Sequence, residues 1–210
     1  MTKIVLEKNN IPQTPYFFLR KGEDIKEKLK ESNMSFPLFV KPVNAGSSIG
    51  ASKALDINEF EKSVADAFLY DNKVLVEKNI NCREIEVAVM GNNELRTAGP
   101  GEIISDAEFY DYDTKYISNE NVGYKIPADI TKEQTALIRE YAKKAYKALE
   151  CRSLSRVDFF IDRDSGEIYL NEINTLPGFT NISMYPKLFL SEGVEYKELI
   201  DLLLETSIEN

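Results

Sequence analysis

Arg156 to Asp162 and Glu167 to Asn174 read as two strands, and the Asp164-Ser165-Gly166 between them leaves room only for a tight reversal. A three-residue hairpin loop with Gly166 in the left-handed conformation sets the register. Asp158 then faces Glu172, and Arg156 faces Asn174. The two-residue period of a strand puts these four side chains on one face of the sheet. Val157, Phe159, Ile161, Tyr169 and Ile173 fall on the other.

Two carboxylates opposed across strands, about 5 Å apart at Cβ, repel each other. A hard cation resolves the repulsion: Mg²⁺ takes carboxylate oxygens, keeps several waters and commonly bridges to substrate phosphates. Asn174 adds a neutral oxygen, and Arg156 reaches anionic oxygens beyond the metal. A solvated polar face, or a structural Arg–Asp pair, fits the same local pattern.

The rest of the chain limits the chemistry further. It has 210 residues, 43% hydrophobic and 29% charged, which suits one compact unit or two small lobes. No stretch approaches the roughly 20 apolar residues of a membrane span, and no secretory signal opens the sequence. The net charge of −9 argues against generalised binding to nucleic acid or anionic membrane. Cys82 and Cys151 form neither a disulfide framework nor a zinc spacing, so a reducing cytoplasm is the expected compartment. There is no histidine. Ser-His-Asp and Cys-His catalysis and histidine-ligated metals are thereby excluded. Carboxylates, lysine, arginine, serine, tyrosine and backbone amides must do the work.

Strands and helices intermix without strict βαβ alternation, which predicts an α+β arrangement. Met1 to Asn9 reads as the tail of an amphipathic helix with Ile4, Val5 and Lys8 at helical spacing; strands are expected at Tyr16 to Leu19, Phe36 to Lys41, Val74 to Glu77 and Ile85 to Met90. Asp56 and Glu59 mark a helix start, as do Thr131 and Gln134, which form a capping box before the stripe Ile138, Tyr141, Ala145 and Leu149. Phe109 to Tyr124 shows no period and reads as an ordered loop; a last helix is expected around Tyr196 to Leu204.

Three further clusters invite a functional reading. Lys41 ends a strand and is followed by Asn44-Ala45-Gly46-Ser47-Ser48-Ile49-Gly50, whose backbone N–H groups and hydroxyls suit an anion, with Lys41 as a point charge beside it. The loop is neither a Walker A motif nor a GxGxxG fingerprint, and a plain connection fits it too. Glu77-Lys78 at a strand end suits an adenine edge or ribose hydroxyls, or an exposed salt bridge. Tyr110, Tyr112, Lys115 and Tyr116 suit a loop that closes over a reaction, or surface packing.

The order of these signals carries more than any of them alone. Phe39-Val40-Lys41-Pro42, Gly46-Ser47-Ser48-Ile49-Gly50, Val76-Glu77-Lys78, Arg83-Glu84-Ile85-Glu86-Val87, Phe109 to Tyr116, Arg156-Val157-Asp158 and Asn171 to Thr180 follow one another. That succession resembles the D-alanine–D-alanine ligases over essentially the whole chain. The resemblance implies an ATP-grasp fold, α+β, with two lobes whose antiparallel or mixed sheets enclose a nucleotide cleft. Residues 1–84 would form the small lobe, and 85–210 the lobe carrying the metal and phosphoryl-transfer residues.

It further implies ATP-dependent joining of two D-alanines through an acyl phosphate, for peptidoglycan precursors. Lys41, Ser47 and Ser48 would hold the phosphates, Glu77, Lys78 and Ile80 the adenine, and Glu84 the ribose. Lys115 would approach the γ-phosphate, and Tyr116, Ser183 and Met184 would meet the second amino acid. Asp158, Glu172 and Asn174 would ligate two Mg²⁺ ions, for which Mn²⁺ can substitute. Arg156 would stabilise the transferring phosphoryl group, and the Gly178 amide would help form an oxyanion hole. The Lys115-Tyr116 pair points to D-alanine as second substrate, because ligases that accept D-lactate use a histidine in that loop. A homodimer is implied for the full-length enzyme. The family's amino-terminal domain, and an Asp-Lys pair before Met1, have no counterpart here, so the expectation is the ATP-grasp portion alone, with impaired activity. A D-Ala–D-Ser or other carboxylate–amine ligase, and a non-catalytic nucleotide-binding module, are the alternatives.

Overall fold

Alternating burial organises the chain into two antiparallel sheets, each covered by helices that bury an apolar stripe against it. The computed structural model describes residues 1–46, 48–105 and 122–209. Among these, the smaller of two units takes Thr14–Ile80 with Ser105 and Val122, and the larger takes Met1–Gln13, Asn81–Ile104 and residues 123–209.

The smaller unit holds β1 (Tyr16–Arg20), α1 (Ile25–Ser32), β2 (Leu38–Pro42), β3 (Ser52–Ala54), α2 (Ile57–Ala67) and β4 (Lys73–Lys78). Its sheet runs in the order β1-β4-β2-β3. Leu38 and Val40 alternate with half-buried Phe39 and Lys41, and they meet Phe60, Val64 and Ala67 of α2 in one core. Asp56 caps α2 through the N–H groups of Asn58 and Glu59, while Glu59 reaches back to the Leu55 N–H. The sequence signals missed α1 and β3. None of the residues of α1 is fully buried; Ile25 and Leu29, one turn apart, lie at the margin of the core, and charged residues fill most of the remaining positions.

The larger unit opens with α3 (Thr2–Lys8), then β5 (Cys82–Met90), β6 (Arg96–Ser105), β7 (Val122–Lys125), α4 (Lys132–Ala148), β8 (Leu154–Asp162), β9 (Ile168–Asn174), α5 (Met184–Ser191) and α6 (Tyr196–Ile208). The sheet order is β7-β6-β5-β8-β9. One face carries Ile85, Val87, Val89, Val157, Phe159 and Ile161 against Ile138, Ala142, Ala145 and Tyr146 of α4. The other carries Ala88, Met90 and Ala98 against Met184, Tyr185, Leu188 and Phe189 of α5. The Thr131–Gln134 capping box forms as expected.

Several expectations need correction. Lys3 and Leu6 are the buried residues of α3, whereas Ile4 is 42% exposed. The buried residues of α4 include Ala142 and Tyr146, with Tyr141 and Leu149 at the core's margin. β6 was hidden by Gly99-Pro100-Gly101, residues that punctuate strands; a register irregularity opposite them, between Glu86 and Ala88, accommodates them. Val122 to Tyr124 belong to β7 rather than to a loop; residues 106–121 of that segment lie outside the described residues. The N-terminal segment is bound to β9, where the Leu170 N–H donates to the Pro12 carbonyl. Among the described residues, no helix is long and apolar enough to cross a membrane.

Candidate active site

The β8–β9 hairpin builds the acidic face by a route the turn signals alone did not show. Asp162 N–H donates to the Glu167 carbonyl and Gly166 N–H to the Asp162 carbonyl, so the loop holds four residues, one more than the sequence reading gave it. Gly166 sits at φ +75, the left-handed conformation that suits glycine. Near the turn the partners are Phe160 with Tyr169 and Phe159 with Leu170. Tyr169 therefore shares the face of Phe160, and Leu170 takes the core position expected for Tyr169. A register shift between Phe159 and Asp158 then leaves Asn171 over as an extra residue. Beyond it Asp158 faces Glu172, and Arg156 faces Asn174.

On the other side of β8, Glu86 of β5 faces Asp158. Three acids thus stand in a row across β5, β8 and β9, with Arg156 and Asn174 one step along the same face. Arg156 forks onto Asp158, with Nε at 2.7 Å and the terminal nitrogen at 2.8 Å. Its Nε is also 3.1 Å from Glu86 Oε2. Asn174 Nδ2 donates to Asp158 at 3.0 Å and to Glu172 at 3.3 Å. Asp158 and Glu86 are buried, and Glu172 is exposed. Burial disfavours the Arg156 charge, but the charge and hydrogen bonds of Asp158, then Glu86 and Glu172, outweigh it and hold the guanidinium protonated.

This donor set fits Mg²⁺. Two carboxylates and an amide oxygen are hard ligands, and Mg²⁺ binds through one or two carboxylates plus phosphate rather than in an all-protein cage. Among the described residues there is no ready cage of three or more acidic, cysteine or histidine side chains. The Asn174 N–H₂ group lies between the two carboxylates, where a cation would balance them.

In the smaller unit, Lys41 Nζ pairs with Glu77 Oε2 at 2.6 Å, and Glu77 Oε1 accepts from Thr14 Oγ1 at 2.9 Å. Glu77 is buried, so the exposed salt bridge read as an alternative does not describe it. Lys78 Nζ is held by the Ser35 carbonyl and hydroxyl at 3.1 and 3.2 Å, and Ile80 is half-buried. The Asn44–Gly50 loop is anchored at its start, where Asp71 accepts from the Asn44 backbone and side chain. Ser48 and Gly50 adopt positive φ, +59 and +69. Gly50 is also required by space, because a Cβ there would lie 2.6 Å from the Tyr70 ring.

Glu84 lies on the Glu86 face of β5, opposite Phe160. Gly178 is exposed, and a Cβ on it would meet Ser183 Oγ at 2.9 Å. Ser183 Oγ accepts from the Thr180 N–H at 3.0 Å. Met184 is buried in the α5 core, packed over Gly101, the residue that faces Glu86. Ser47, Lys115 and Tyr116 lie outside the described residues. Thr14, Ser35 and Glu86 join the expected residues through their contacts with Glu77, Lys78 and Arg156. Glu86 had a signal: it alternates with Glu84 on a strand whose other face is apolar. Thr14 and Ser35 are brought in only by long-range pairing.

The pattern of the family described as "D-ala D-ala ligase C-terminus" matches residues 5–205. The chain belongs to the D-alanine–D-alanine ligase C-terminus family. The D-alanine–D-alanine ligase of Acetivibrio thermocellus is 50% identical over 99% of this chain, and ligase B of Clostridium tetani is 49% identical over all of it. This family member spans 56% and 59% of those two proteins' lengths. The crystal structure of the VanG D-Ala:D-Ser ligase from Enterococcus faecalis matches 99% of the chain with a TM-score of 0.86 at 36% identity, covering 60% of that structure. D-alanyl-alanine synthetase A from Vibrio cholerae also gives 0.86, at 33% identity, with 99% of this chain and 64% of that one covered. The fold is accordingly α+β, of the ATP-grasp type shared by these ligases.

Proposed function

We propose that this chain carries the ATP-binding and phosphoryl-transfer machinery of a D-alanine–D-alanine ligase, joining two D-alanines for peptidoglycan precursors in the cytoplasm. The observation that carries the reading is the Asp158–Glu172–Asn174 group with Arg156 forked beside it. A carboxylate resists amines until one of its oxygens becomes a leaving group. Phosphorylation by ATP supplies that, and the transfer needs alignment and charge neutralisation more than a protein nucleophile. A site without histidine is sufficient for this.

Asp158, Glu172 and Asn174 would hold Mg²⁺, which when bound neutralises phosphate charge and aligns the transferring group. Arg156, permanently charged, meets the charge that develops on the phosphoryl group and on the later tetrahedral adduct. Lys41, with Ser47 and Ser48, would bind the phosphates, its ammonium shared with Glu77. Glu77, Lys78 and Ile80 would contact the adenine, and Glu84 the ribose. Lys115 would approach the γ-phosphate. Tyr116, Ser183 and Met184 would orient the second amino acid, and the Gly178 amide would donate to the oxyanion. Curated D-alanine–D-alanine ligases 45–50% identical over nearly the whole chain support D-alanine as that amino acid. A homodimer is part of the same proposal for the full-length enzyme.

The test is calorimetry of the chain with ATP, with and without Mg²⁺, beside phosphate release with D-alanine, D-serine or D-lactate as second substrate. Mg²⁺-dependent ATP binding is expected, with release greatest for D-alanine in a full-length form. No Mg²⁺-dependent binding would sink the proposal; binding with a preference for D-serine would move it to the other ligase type.

A further inference from the structure

A cation that binds Asp158 must take a carboxylate already claimed: Arg156 grips both of its oxygens, and Asn174 donates to one of them. The guanidinium cannot simply be released, because it is largely buried, with its side chain 21% exposed, and an unpaired charge at such depth is costly. A second anion waits within reach. Glu86 faces Asp158 across β5 and β8, its side chain is 7% exposed, and its Oε2 already lies 3.1 Å from Arg156 Nε.

We infer that Glu86 is a positioning residue that receives Arg156 when Asp158 turns to a metal ion. The handover keeps the guanidinium paired and pointed along the same face in both states. Asp158 can then exchange a protein cation for a metal cation without leaving a buried charge exposed to apolar surroundings. Glu86 need not ligate the metal to do this, and it touches no reacting atom; it acts through Arg156. The inference rests on the Asp158–Glu172–Asn174 metal reading above.

The test follows Mn²⁺ binding to the 210-residue chain in the presence of ADP, using the electron paramagnetic resonance signal of free Mn²⁺. Wild type, Glu86→Gln, Arg156→Ala and the double variant are compared, each checked for folding by circular dichroism. Loss of an outer partner of a metal ligand weakens metal affinity roughly 10- to 100-fold, so Glu86→Gln should bind Mn²⁺ at least about tenfold more weakly than wild type. In the Arg156→Ala background the same change should have no effect, since the group to be received is gone. An equal loss in both backgrounds means that Glu86 acts on the ion directly and overturns the handover, as does an unchanged affinity in Glu86→Gln. No saturable Mn²⁺ binding by wild type removes the metal reading itself. Should Glu86→Gln fail to fold, a crystal structure of the wild-type chain with ADP and Mg²⁺ decides. Arg156 within hydrogen-bond distance of Glu86 and off Asp158 supports the handover; Arg156 still forked on Asp158 beside a bound ion refutes it.

Discussion

Arg156 shows how one side chain can serve fold and chemistry together. In this structure it neutralises two buried acids; in the proposed reaction it neutralises phosphate. Only the second role exists in the transition state, so Arg156→Ala should cut ligation roughly 100- to 1,000-fold. Calorimetry should show ATP binding near the wild-type level; equal loss of binding and turnover would make Arg156 structural. Cys82 behaves in the opposite manner, as an inert group. Burial first, then the charge of Glu84, pushes its thiol up to about 12. The folded chain keeps a proton that the unfolded chain gives up above about pH 8.5. Its contribution to stability is therefore intact below that pH and is lost as pH climbs toward about 12. Iodoacetamide at pH 8.5, read by mass spectrometry, should label Cys82 slowly in the native chain and rapidly in urea.

Among the elements, α2 and α4 owe their starts to side chains that satisfy free N–H groups. Thr131→Ala should cost about 1 kcal/mol, seen as a lower urea midpoint with an unchanged slope. Such caps are local, which is why they were legible in the sequence. The hairpin was legible for a less secure reason. The loop is one residue longer than its Asp-Ser-Gly signal implied, and the extra Asn171 in β9 restores the register before the functional pairs begin. Two one-residue departures cancel at Asp158 and Glu172, but not at Tyr169, which changed face. α1 and β6 were illegible because charge hid the one and Gly99-Pro100-Gly101 the other. Lys41's pairing with Glu77, and Thr14's bond to the same acid, follow from strand order, which no local pattern encodes.

At the scale of the whole molecule, each sheet has its own core, and the clusters share no residue. The larger sheet carries its proposed metal-binding acids on β8 and on its outermost strand, β9. Such a strand ordinarily presents bare donors and acceptors to any passing chain. Here the Leu170 donor is taken by Pro12, and that segment is fastened by Ile11 and Leu6 in the core below and by the Gln13 amide on the Lys3 carbonyl. The first thirteen residues thus act as a selvedge along the part of that border where Leu170 lies. A version beginning at Thr14 should sediment as a broad mixture of multimers where the 210-residue chain gives a single boundary, and a single boundary from both would mean the border needs no such hem.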